Sequence, residues 1–116
     1  MRRQYVLFLK DILEAMERIE EFVGTTDFEG FAANDQLKSA VVWKLVTIGE
    51  AAKNVPAHVR KRHAHIPWSS MARMRDRLAH AYFIVDDEIV WKVVREELPR
   101  LKPAIREIYE HERGHP

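Results

Sequence analysis

The 116-residue chain is 47% hydrophobic and 32% charged, a balance that fits one globular domain and excludes disordered and fibrous classes. It has no cysteine, which excludes disulfides and thiolate metal sites and suits a reducing cytoplasm, the expected location. The net charge of +1 supplies no overall field that would draw the molecule to nucleic acid.

Arg2 and Arg3 precede an apolar run, Tyr5 to Leu9, that Lys10 and Asp11 interrupt. That run is too short for a signal peptide or a membrane span, so no membrane partner is expected. Tyr5, Phe8, Ile12, Met16, Ile19 and Val23 recur at three- and four-residue steps and predict a first helix, ended by Gly24. The stretch GTTDFEGFAAN has no period and is expected to be a connection, with Asn34 capping the next helix. Leu37, Val41, Leu45, Ile48 and Ala52 give that second helix its apolar stripe, and Pro56 stops it near Val55. PAHVRKRHAH can form a short helical turn.

Pro67 opens a third helix that carries MRDRLAHAY to about Tyr82. Asp86 is placed to cap a fourth, with Asp87 and Glu88 at the positive end of its dipole. Val90, Val94, Leu98, Leu101, Ile105 and Ile108 continue its apolar face, while Pro99 and Pro103 should kink or break it. No alternating strand pattern competes. The expectation is an all-α, antiparallel bundle of four to five helices, a single domain over residues 1–110 with a flexible tail over 111–116.

Charge is uneven along this frame. Residues 58–77 hold Arg60, Lys61, Arg62, Arg73, Arg75 and Arg77 against Asp76 alone, giving +5 locally and −4 over the rest. On the third helix, Met71, Met74, Leu78 and Ala81 form the core stripe, with Arg75 and Tyr82 on one border of it. Asp76 and His80, four residues apart, lie together on the outward side. Arg75 and His80 are then about 140° apart on an ideal helix and form no compact site within one chain. A solvated helix face would explain these residues equally well taken in isolation.

The wider sequence changes that weighting. Arg75, four residues, His80, one residue and Tyr82 resemble the motif of HepT-like proteins of the HEPN (higher eukaryotes and prokaryotes nucleotide-binding) superfamily. TIGEAAKNVP, IPWSSMARMRDRLAHAYF and VDDEIVWKVVREELPRLKPAI look like that family in order and spacing, over roughly residues 35–108. Asp76 departs from the family pattern, in which asparagine is common at that position. The resemblance implies a HEPN-like helical bundle acting as a homodimeric, metal-independent ribonuclease toxin, without cofactor. It also implies a minimal nucleotidyltransferase antitoxin that transfers AMP to the motif tyrosine, here Tyr82. A non-catalytic helical module binding nucleotides or a partner beside such an enzyme is the alternative.

The residue types suit metal-free cleavage of RNA. His80 can move protons near neutral pH, and the Arg75 guanidinium can bind phosphate oxygens bidentately. Asp76 could orient the imidazole as the third member of a catalytic triad does, or form only a surface pair. A twofold dimer with the third helix near its symmetry mate would let Arg75 and His80 of different chains converge. Arg73, Arg77, Arg60, Lys61 and Arg62 are candidate RNA contacts, the last three also readable as a solvated turn. Glu50, on a face with Trp43 and Val46, could pair with a motif arginine or form a routine salt bridge. His58, His63 and His65 match no closed metal-ligand spacing, so no metal is expected. Trp68 and Trp91 read as core or interface packing.

Overall fold

The computed structural model describes residues 4–80 and 86–114, with the side chains of Ala79 and His80 outside that description. Helix α1 spans Tyr5–Val23, α2 Phe28–Ala32, α3 Asp35–Asn54, α4 Ala57–Arg62, α5 Trp68–His80, α6 Asp87–Lys92 and α7 Leu98–Gly114. No strand occurs among the described residues, so the architecture is all-α as the periodicity predicts. Helix α3 packs against both α1 and α5, and α1 also packs against α7. The core between them holds Leu9, Ile12 and Met16 of α1, Leu45 and Ile48 of α3 and Ile105 of α7.

The helix ends follow the chain's own punctuation. Gly24 closes α1 at φ +52, a conformation costly for any residue with a Cβ, and its N–H bonds the Glu20 carbonyl. Asn34 caps α3 by accepting from the Leu37 N–H, and Asp86 caps α6 by accepting from Glu88 and Ile89. Pro56 follows α3 directly and precedes α4, the short turn that PAHVRKRHAH suggested.

Three expectations change. The GTTDFEGFAAN connection contains α2, which Asp27 initiates by accepting from the Gly30 N–H. Five residues are too few to show a period, yet the helix places fully buried Phe31 against Trp91 at a ring separation of 5.1 Å. Second, neither Pro99 nor Pro103 breaks the chain's last helix. A π-helical turn over Val93–Glu97 joins α6 to α7, with the Leu98 N–H reaching back to the Val93 carbonyl. The wider turn lies just ahead of Pro99, whose ring would otherwise press on the carbonyl four residues earlier. Pro103 sits inside α7 with the helix continuing on either side.

Third, α7 runs through Gly114 rather than fraying after residue 110. Its anchor is Glu112, which is completely buried. The carboxylate accepts from Tyr5 Oη at 2.9 Å, from Arg62 Nη2 at 2.8 Å and Nε at 3.1 Å, and lies 2.8 Å from His63 Nε2. Burial pushes the Glu112 carboxyl up, but the hydrogen bonds from His63, Arg62 and Tyr5 outweigh it and hold the group at about 2. One side chain thereby ties the end of α7 to the starts of α1 and the α4–α5 connection.

Candidate active site

Helices α3 and α5 meet where α3 has no side chain. A Cβ placed on Gly49 would collide with the Arg75 Cβ and stand 2.7 Å from the Met71 carbonyl oxygen. Glycine is required there by close approach rather than by a special backbone angle. The contact brings the next residue of α3, Glu50, beside the Arg75 guanidinium.

Arg75 then sits between carboxylates from two helices. Its Nε lies 2.8 Å from Glu50 Oε2, and its Nη1 donates to Asp76 Oδ1 at 3.0 Å. The Nε–H is buried but not aimed at an acceptor, so the Glu50 contact is an ion pair without a hydrogen bond. Lys53 Nζ, one turn along α3 from Glu50, stands 3.5 Å from Asp76 Oδ1. The four side chains alternate in sign and cross-link α3 to α5. The hydrogen bond from Arg75 holds the Asp76 carboxyl below the usual carboxylate range, with partial burial opposing and Lys53 assisting.

With its side chain 28% exposed, Arg75 is braced at the helix crossing yet reachable from solvent. A guanidinium has five N–H donors, and the hydrogen bond to Asp76 engages one of them. Such a group can present a fixed fork to a phosphate.

The backbone of His80 belongs to α5. Counting along the helix puts its Cα on the Asp76 face, and Ser69, Arg73, Asp76 and His80 fall within an arc of about 60°. Tyr82 and Ala81 lie outside the described residues. Arg73 and Arg77 are exposed on α5. Arg60 and Lys61 line a cleft between α4 and α5, whereas Arg62, grouped with them in the sequence, is held by Glu112 and is a structural cation.

The pairing of Glu50 with a motif arginine is observed, although Glu50 itself is half exposed. Asp76 partners Arg75 and Lys53. Gly49 and Lys53, which hold this arrangement together, carried no signal on their own; the GEA segment facing a motif arginine was the available hint. Trp68 is buried, donating its Nε1–H to the His63 carbonyl, and Trp91 packs on Phe28 and Phe31. His63 serves Glu112, and its ring stands 6.3 Å from His65. No group of side chains suited to hold a metal ion occurs among the described residues. None of the helices among them is long and apolar enough to cross a membrane.

A family model described as ribonuclease HepT-like matches residues 12–108. The chain is 48% identical over 102 residues to a probable ribonuclease HepT of Thermococcus cleftensis, covering 88% of this chain and 93% of that protein. A putative RNase of Methanocaldococcus jannaschii is 41% identical over 107 residues, covering 92% of this chain and 88% of the relative. Another protein of that organism, a gamma-glutamylcyclotransferase and putative RNase, is 40% identical over 110 residues, and the match spans 50% of its length. No solved structure matches the chain.

Proposed function

The chain belongs to the HepT-like ribonuclease family, and we propose that it is an endoribonuclease cleaving RNA without a metal, the toxin of a toxin–antitoxin pair in the cytoplasm. The observation that carries this reading is Arg75, braced at the α3–α5 crossing by Glu50 and Asp76 with its guanidinium accessible.

In the proposed reaction His80 removes the proton from a ribose 2′-hydroxyl, and the oxygen attacks the adjacent phosphorus. The bond to the 5′-oxygen breaks, and that oxygen takes up a proton. The products are a 2′,3′-cyclic phosphate and a 5′-hydroxyl end. Arg75 neutralises the charge that gathers on the phosphate oxygens during attack. Asp76 and Glu50 are positioning residues that fix where the guanidinium stands.

Because Arg75 and His80 point about 140° apart on one helix, the working site joins Arg75 of one subunit to His80 of the other across a homodimer. Regulation follows from the same face of α5. The Tyr82 hydroxyl attacks the α-phosphorus of ATP in the nucleotidyltransferase antitoxin, diphosphate leaves, and the attached AMP occupies the place of substrate.

Incubating the purified protein with RNA in excess EDTA tests the reading. Wild type should cut RNA and spare DNA, which lacks the nucleophile. Arg75→Ala and His80→Ala should each lose on the order of 100-fold or more. A mixture of the two inactive variants, after subunit exchange, should regain activity. Full activity in His80→Ala, or dependence on a divalent metal, defeats the mechanism.

A further inference from the structure

Most of the motif region's positive charge is matched by acids: Arg75 by Glu50 and Asp76, Arg62 by Glu112. The exception lies between α4 and α5. There an open cleft of about 420 Å³ is lined by Arg60 and Lys61 on one side and by Ser69 and Ser70 on the other, and no acidic residue lines it.

Two features of this cleft call for an anion. The Arg60 Nε is buried with no hydrogen-bond acceptor, and buried donors are ordinarily satisfied by protein, water or an ion. Its guanidinium and the Lys61 ammonium bring two formal charges to one wall. The opposite wall adds the Ser69 and Ser70 hydroxyls and the first-turn N–H groups of α5, which Pro67, lacking a side-chain oxygen, cannot cap. Trp68 also lines the cleft but is buried, so it offers no open ring for a base to stack upon. The chemistry is that of a backbone phosphate contact rather than of base recognition.

We propose that the α4–α5 cleft is a phosphate subsite for the RNA backbone, gripping a phosphodiester away from the scissile bond. The identity of the occupant rests on the ribonuclease reading. Ser69 shares an α5 face with Arg73, Asp76 and His80, and lies about 16 Å along the axis from His80. An RNA strand running from His80 past Arg73 reaches Arg60 and Lys61 in the cleft. The subsite sets the substrate's register on the enzyme and favours chains several nucleotides long.

Amide NMR of the intact protein, titrated with a 2′-O-methyl oligoribonucleotide of eight residues that cannot be cleaved, tests this. The Ser69 and Ser70 amide signals should shift saturably. Arg60→Gln and Lys61→Gln should each weaken binding severalfold and reduce the salt dependence by about one phosphate contact. Arg100→Gln on α7 should bind as wild type does. If Arg60→Gln fails to fold by circular dichroism, exposed Lys61 still decides the matter. Unmoved Ser69 and Ser70 signals, wild-type affinity in Lys61→Gln, or a response confined to millimolar inorganic phosphate overturns the proposal. Parallel digestion of unmodified RNA separates the two readings. Shifts without cleavage retain the subsite and remove the nuclease, and cleavage without shifts does the reverse.

Discussion

Gly49 and Arg75 touch backbone-to-side-chain across the α3–α5 crossing, and a methyl group on Gly49 has nowhere to go. Alanine would favour the helix by about 1 kcal/mol on propensity, while overpacking of a closed contact costs about 1–3 kcal/mol. Because the obstructing atoms include the Met71 carbonyl and the Arg75 Cα, neither of which can swing aside, overpacking wins. Gly49→Ala should lower stability in urea unfolding. It should also cut cleavage on the order of 10- to 100-fold by moving Arg75. A variant as stable and active as wild type would show that the helices do not meet this closely.

Asp76→Asn should keep cleavage within a few-fold of wild type. The amide oxygen can still accept from Arg75 Nη1, the shorter of the two Asp76 contacts, and one negative charge near the substrate is removed. Asp76→Ala, which leaves Arg75 held by Glu50 alone, should fall further, mainly in kcat. Steady-state kinetics on one short RNA decides it. A thousandfold loss in Asp76→Asn would instead assign Asp76 to the orientation of His80.

The Glu112 carboxyl stands at about 2 against an ordinary 4.5. A folded-state value below the unfolded one means that stability is present above the unfolded value and disappears as pH falls through the folded one. Between pH 4.5 and 2 the protein should therefore lose on the order of 3 kcal/mol from this group. Glu112→Gln should be destabilised by about 3 kcal/mol at pH 7, since breaking a buried pair strands its partners. The gap from wild type should close as the pH drops below 4.5. Urea unfolding of both proteins across this range measures it, and a gap independent of pH would count against an ionised Glu112.

Tyr82→Phe should retain much of the ribonuclease activity yet escape neutralisation by the antitoxin and ATP. Intact-protein mass spectrometry reads the result directly. Wild type should gain the mass of AMP and the variant should not; an adduct that persists on Tyr82→Phe places the modification elsewhere.

Elements whose determinants lie within one helical turn were legible in the sequence. Gly24, Asn34 and Asp86 act on backbone groups a few residues away, and the structure places each at its helix end. The Glu50–Arg75 pair was foreseeable because the motif supplied the arginine and α3 the acid. What stayed hidden is nonlocal or short. Helix α2 is too brief for a period, and Glu112 meets partners 49, 50 and 107 residues away, so its tail read as a solvated end. The Arg60-Lys61-Arg62 run looked uniform because sequence cannot say which cation a distant carboxylate will claim.

The π-helical turn has a consequence for phase. Val90, Val94 and Leu98 follow one another at four-residue steps, and in an unbroken α-helix each such step drifts about 40° around the axis. One surplus residue wound into Val93–Glu97 cancels that drift and returns the row to the core. Deleting a single residue there would mend the hydrogen-bond ladder locally while rotating everything downstream by about 100°. Ile105, Ile108 and Glu112 would swing off α1 together, so a chain shortened by one harmless-looking residue would lose its clasp at the far end of the molecule.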